Sequence, residues 1–263
     1  MVGALPDFLQ RLRHRLAAAD EGMADADLLE RFLTRRDEAA FETLVGRHGS
    51  MVLAVCGRVL GDAHAAEDAF QATFLILARQ ARAIRSWTSL GSWLHGVAYR
   101  AALKARAREA CRRRHEREAM LPEPTDPAGD VLWRDLRPVL DAALDRLPEK
   151  YRAPLVLCDV EGKTQQEAAR LLGWRLGTLA TRVLRGRARL RSLLTRRGVT
   201  LSVAGLTVAL GRVAAEAPAA LVRSTVGHAA GVDAGAAAAG AVPVSIQALV
   251  NRDVAYHEMC KSP

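Results

Sequence analysis

Apolar positions along this chain recur with the 3.6-residue period of amphipathic helices and not with the alternation of strands. Leu28, Leu29, Phe32 and Leu33 open the pattern, Ala39, Phe41, Leu44 and Val45 continue it, and Met51, Val52, Val55, Val59 and Leu60 form another stripe. Gly61 offers a stop and Asp62 an N-cap. A new helix is therefore expected, with Ala66, Phe70, Phe74 and Leu77 on one side and Glu67, Asp68 and Gln71 on the other. A tryptophan-bearing stretch, Ser86-Trp87-Thr88-Ser89-Leu90-Gly91-Ser92-Trp93-Leu94, leads into a helix that grows basic through Arg100, Lys104, Arg106 and Arg108 and ends in Arg112-Arg113-Arg114. Between 121 and 130 the composition changes to Pro122, Pro124, Pro127 and Gly129 among acidic side chains, which cannot continue a helix and offers little to bury. A second helical block follows, opened by Leu136, Leu140, Leu144 and Leu147 and continued by Leu155, Val156 and Leu157.

The predicted fold class is all-α, two small helical domains joined by a flexible linker. The expected division is an N-terminal segment 1–24, a helical domain 25–117, a Pro-rich linker 118–130, a helix-turn-helix domain 131–197 and an Ala/Gly-rich extension 198–263. Residues 199–210 form an apolar run, but it is far shorter than the roughly 20 residues a membrane span needs. Arg212, Glu216 and Pro218 then interrupt it. Stable membrane insertion is not expected, and the extension is expected to be poorly ordered.

The helix-turn-helix is the sharpest local signal. Thr164-Gln165-Gln166-Glu167 has the form of a capping box, in which the threonine hydroxyl and the glutamate carboxylate each satisfy an amide of the first turn. Ala168, Leu171 and Leu172 give that helix a buried side, Gly173 a left-handed stop, and 174–176 the turn. In the helix that follows, Leu179, Val183, Leu190 and Leu194 share one face, while Thr178, Thr181, Arg182, Arg185 and Arg189 share the other. A basic face on a lone helix is ordinarily solvated charge. Behind a capped helix and a short glycine turn, it suits insertion into the major groove.

Charge supports this reading. The chain has 38 Lys plus Arg against 29 Asp plus Glu, a net +9, and Arg predominates, the side chain that forks onto phosphate or guanine. Trp87, Trp93 and Tyr99 are interleaved with Arg85, His95, Arg100 and Lys104. Trp93 and Leu94 fit a core role. The cations beyond them suit single strands, whose bases stack on aromatic planes while cations track the backbone.

Four separated cysteines (Cys56, Cys111, Cys158 and Cys260) without a Cys-x-x-Cys pair, and a start without a signal-peptide pattern, predict a cytoplasmic protein with reduced thiols. Cys111 and His115 alone are too few ligands for zinc. With no nucleophile–base–orienter set and no glycine-rich phosphate loop, neither an enzyme nor a cofactor or metal is expected.

Four segments together carry a family resemblance: Asp37-Glu38-Ala39-Ala40-Phe41, Ala66-Glu67-Asp68-Ala69-Phe70-Gln71-Ala72-Thr73-Phe74, Ser92-Trp93-Leu94 and Gly177-Thr178-Leu179-Ala180-Thr181-Arg182. In this order they resemble an extracytoplasmic-function (ECF) sigma factor of bacterial RNA polymerase, over roughly 25–197. The long Ala-rich tail resembles in particular the planctomycete-type forms. The resemblance implies that Asp62, Glu67, Asp68 and Gln71 dock on the β′ clamp helices of core RNA polymerase, with the β subunit a further contact. It implies that the segment 89–108, with Trp87 beside it, grips the melted proximal promoter element through Trp87, Tyr99, Arg100, Lys104 and Arg106. Thr178, Thr181, Arg182, Arg185 and Arg189 would read the distal element as duplex promoter DNA. An anti-sigma factor or other signalling protein is an expected partner. Two positions depart from the family pattern: Ala180, where Lys is frequent, and Tyr99-Arg100, where an Arg-Asn pair is common. Promoter sequence therefore does not transfer, and Arg182 and Arg185 are expected to carry more of the binding. The alternative is a stand-alone helix-turn-helix regulator with a sensing first domain, which leaves the acidic helix unexplained.

Overall fold

The computed structural model describes residues 23–81, 89–117, 131–202, 205–206, 209–210, 217–231 and 242–250. The described residues form ten α-helices and one short π-helical turn, with no strand among them. The all-helical expectation holds.

Helix α1 (Asp25–Arg35) buries Leu28, Leu29 and Phe32 and stops where Arg36 enters the left-handed region at φ 55°. Asp37 caps α2 (Glu38–Leu60) by accepting from the Ala39 and Ala40 amides, while Arg31 Nε donates to the same carboxylate at 3.0 Å. Gly61 at φ 70° ends α2, and Asp62 at once caps α3 (Ala63–Gln80) through the Ala65 amide at 2.8 Å. The two caps turn the chain sharply enough for the expected stripes to converge. Phe32 stacks on Phe41 at 4.4 Å, and Phe74 meets Phe41 edge-on at 6.4 Å and Phe70 at 5.0 Å. Helix α4 (Leu90–Arg117) completes the bundle with Leu90, Leu94, Val97, Ala98, Ala101 and Ala102. Leu94 is buried and Trp93 half-buried against the core.

The second block comprises α5 (Val131–Asp145), α6 (Glu149–Leu155), the π-helical turn (Val156–Val160), α7 (Gln165–Leu172) and α8 (Leu176–Thr195). Of its expected opening stripe, Leu140, Leu144 and Leu147 are buried, and the Leu136 side chain lies outside the described residues. Gly186 permits α8 to touch α6, since a Cβ there would stand 3.2 Å from both the Leu155 side chain and the Tyr151 carbonyl oxygen. Arg187 of α8 is held by Asp159, its Nε donating at 3.0 Å.

The two blocks pack against each other through buried charge. Asp141 of α5, 2% exposed, accepts two hydrogen bonds at 2.8 Å from Arg58 of α2 and lies 3.2 Å from His95 Nε2 of α4. Arg100 donates to Asp145 at 3.1 Å and Arg152 to the Ser92 hydroxyl at 3.2 Å. At the other end, His48 of α2 bridges Asp25 at 2.9 Å and Glu161, which follows the π-helical turn, at 3.1 Å. Gly91 makes room for that carboxylate, because a Cβ there would fall 2.1 Å from Glu161 Oε1. Such groups are tolerated inside only when paired. Asp141, Asp145 and Glu161 each meet a basic partner from the first block, and Asp25 shares His48 within its own block.

Two stretches of the C-terminal extension differ from the expectation of poor order. Helix α9 (Ala219–Gly231) buries Leu221, Thr225, Val226 and Ala229, and α10 (Val244–Val250) buries Ile246, Leu249 and Val250. Both lie against the first block, in the hydrophobic core that includes α3. The reason lies in α3 itself. Residues 72–78 are buried all round, and a helix apolar on every side needs cover on every side. The bundle covers one face of α3 and the extension the other.

Candidate nucleic-acid interface

Both elements of the helix-turn-helix follow from their local sequence. The Thr164 hydroxyl accepts from the Glu167 amide at 3.3 Å, and the Glu167 carboxylate accepts from the Thr164 amide at 2.8 Å, the reciprocal pair of a capping box. Hydrogen bonds from the Thr164 hydroxyl and then from its amide hold the exposed Glu167 carboxyl below its usual pKa. Gly173 at φ 64° ends α7, and α8 begins three residues later behind Arg175. Leu179, Val183, Leu190 and Leu194 bury one face of α8, and Thr178, Thr181, Arg185 and Arg189 are exposed on the other.

Two guanidinium groups on this face are positioned by aromatic rings. Arg182 lies over the Trp174 ring at 4.0 Å and Arg189 over the Tyr151 ring at 4.7 Å. Cation–π contact restrains an arginine without consuming its hydrogen-bond donors, so both forks stay available to a phosphate or a base edge. The Thr181 hydroxyl donates to the Gly177 carbonyl at 2.8 Å and keeps acceptor capacity. Arg187, in the midst of these residues, turns inward to Asp159. Sequence periodicity did not supply the two rings, because Trp174 precedes the helix and Tyr151 belongs to α6. It also missed Leu184, which is 72% exposed at the margin of the same face.

The Sigma-70 region 2 family matches residues 44–112, and the Sigma-70, region 4 family matches residues 138–190. The ECF RNA polymerase sigma factor SigM of Mycobacterium tuberculosis is 31% identical over 183 residues, 65% of this chain and 85% of that one. The RNA polymerase sigma factor CarQ of Myxococcus xanthus is 34% identical over 173 residues, covering 63% of this chain and 95% of its own. This chain belongs to the ECF sigma factor family. The ECF RNA polymerase sigma factor SigE of Mycolicibacterium smegmatis is 37% identical over 172 residues, 61% of this chain, and the match spans 65% of SigE's length.

In this sigma factor the remaining candidate residues are more dispersed. Asp62 is exposed, with one carboxylate oxygen occupied as the α3 cap. Glu67, Asp68 and Gln71 follow it on α3, half-buried, and Gln71 donates to the Ser224 hydroxyl of α9 at 2.9 Å. Trp87 lies outside the described residues. On α4, Arg106 is exposed and Tyr99 half-buried; burial, aided by the charges of Asp145 and Asp141, raises the pKa of the Tyr99 phenol. Arg100 is engaged by Asp145, and Lys104 donates to the Leu249 carbonyl of α10 at 2.5 Å. The distal set thus shares one accessible face. The proximal set is divided between solvent and acceptors in the second block and the extension. No described helix is long and apolar enough to cross a membrane.

Proposed function

We propose that this chain recruits core RNA polymerase to a set of promoters and starts transcription there, the polymerase supplying the chemistry and the chain having no catalytic activity of its own. The observation that carries this is the α8 face, on which Thr178, Thr181, Arg182, Arg185 and Arg189 stand together with Arg182 and Arg189 oriented by rings. This face reads the distal promoter element in the major groove, each good bidentate contact being worth about 1–3 kcal/mol of discrimination. Leu184 at its edge suits the C5-methyl of a thymine. Tyr99, Arg100, Lys104 and Arg106, with Trp87, hold the melted proximal element by stacking and charge.

Asp62, Glu67, Asp68 and Gln71 dock α3 on the β′ clamp helices, the β subunit adds a further contact, and an anti-sigma protein or another signalling partner controls access. The working division is a polymerase and proximal-element domain at 25–117, a linker at 118–130 and a distal-element domain at 131–197, all acting in the cytoplasm. A stand-alone regulator would need neither an acidic docking helix nor a second DNA grip.

The test is whether the purified chain binds core polymerase and yields transcripts from promoters identified by expressing it. Binding with promoter-specific transcripts supports the proposal. Failure to bind core polymerase refutes it.

A further inference from the structure

The face of α3 that bears Gln71 is partly covered by the extension. Gln71 Nε2 donates to the Ser224 hydroxyl of α9 at 2.9 Å, and two turns on, Arg79 donates to Gln247 of α10 at 3.3 Å. Leu75 lies between them on the same stripe, four residues from each, and is fully buried. Ala72 and Ile76, beside this stripe, are buried as well. Ala217, just ahead of α9, sits against α2 so closely that a Cβ on Gly49 would lie 3.3 Å from it. Lys104 of α4 donates to the Leu249 carbonyl and ties down α10. The extension thus contacts three helices of the first block, at residues matched by Sigma-70 region 2, while itself lying beyond the residues matched by either sigma-70 region.

We propose that the C-terminal extension is an intramolecular lid: α9 and α10 occupy the α3 face used to dock core polymerase and must leave before the polymerase can bind. The proposal rests on the reading of α3 as the docking helix. It joins three features otherwise unrelated: a stretch of α3, residues 72–78, that is buried all round, a hydrogen bond from a docking residue to the extension, and capture of the proximal-element lysine Lys104 by α10. Lid opening exposes the docking residue Gln71 and releases Lys104 in one event, so polymerase docking and proximal-element binding become coupled. The affinity for polymerase is reduced by the fraction of chains that are open.

The test compares purified core polymerase binding by three forms of the full-length chain. The first is the native sequence. The second carries Ile246→Asp and Leu249→Asp, which place charges in the buried face of α10. The third carries Arg79→Cys and Gln247→Cys, with Cys111→Ser and Cys260→Ser, joined by a cleavable bismaleimide. A lid closed nine-tenths of the time costs about tenfold in affinity. The aspartate variant should therefore bind roughly tenfold more tightly than the native chain, and the cross-linked chain at least about tenfold more weakly than the same protein after cleavage. If the aspartate variant loses helicity, the cross-linked pair decides alone. Equal, measurable affinity in all forms overturns the lid and leaves the docking helix standing. Absence of binding even by the opened and cleaved forms overturns the docking reading, and the lid with it.

Discussion

Replacing Glu161 with Gln should loosen the contact between the two blocks and flatten its dependence on pH. His48 is 1% exposed and places Nε2 2.9 Å from Asp25 Oδ2 and Nδ1 3.1 Å from Glu161 Oε1. An imidazole that donates at both nitrogens is the charged form. Burial alone would lower its pKa, but the hydrogen bonds and charges of Asp25 and Glu161 outweigh burial and raise it from 6.5 to about 9. At about 1.4 kcal/mol per pH unit, that rise amounts to on the order of 3 kcal/mol favouring the charged ring. Two carboxylates share it, so the isosteric Glu161→Gln change should remove about 1–2 kcal/mol.

The folded-state pKa is raised, so this stabilisation is fully present below pH 6.5 and fades as pH climbs through about 9. Asp25, held near 2 by His48 and Arg47 despite its burial, loses its contribution only as pH falls below the usual carboxylate range. The Cys56 and Cys158 thiols, pushed from 9.0 up to about 12 and about 11 chiefly by burial, stay protonated in the folded chain, and their ionisation in the unfolded chain above about pH 9 lowers the stability of both proteins alike. Urea unfolding followed by circular dichroism at several pH values between 6 and 9.5, for both proteins, measures the difference directly. The native chain should lose stability across this range and Glu161→Gln should lose less. Parallel curves, or a His48 ring that titrates near 6.5 in the native chain, would refute the assignment.

Other outcomes follow from the same structure. Thr164→Ala removes the capping box and should cost about 1 kcal/mol, read as a lower thermal midpoint with α8 and its DNA contacts weakened together. If Arg185 contacts a phosphate, Arg185→Ala should reduce the slope of log affinity against log salt by about 1; if it reads a base, discrimination at one promoter position should relax instead, and no change in either excludes it from the interface. Trp174→Ala should weaken promoter binding through Arg182, and an Arg182→Ala, Trp174→Ala double variant should bind no worse than Arg182→Ala alone. Among Cys56, Cys111 and Cys158, a thiol reagent near pH 8 should modify exposed Cys111 first and leave buried Cys56 intact until unfolding; early loss of Cys56 would contradict its burial.

Features fixed by a few adjacent residues were legible in the sequence. The capping box at Thr164, the left-handed stop at Gly173 and the buried face through Leu179, Val183, Leu190 and Leu194 all depend on chemistry within one or two helical turns, and periodicity reports it. The pairing of His48 with Glu161, or of Arg58 with Asp141, joins residues far apart in the chain, and no local pattern distinguishes a buried arginine from a solvated one. The same limit conceals that Arg187 faces Asp159 while Arg185 faces solvent. The extension was the larger surprise, although one clue was present. Ala72, Leu75 and Ile76 make the far side of α3 as apolar as the near side, and that excess required a second covering layer. Leu221, Val226, Ile246 and Leu249, which supply that layer, are spaced too widely in the Ala-rich tail to form a clear local stripe.

In the proposed function, α3 and α8 serve one initiation complex. The most direct measurement of this is promoter-specific transcription by purified core polymerase with the opened-lid chain, alone and with Glu67→Lys and Asp68→Lys or with Arg182→Ala and Arg185→Ala. The parent should yield transcripts, the lysine variant should lose polymerase binding, and the alanine variant should keep polymerase binding without promoter-specific transcripts. Full transcription by the lysine variant, or no polymerase binding by the parent, would contradict the proposed function.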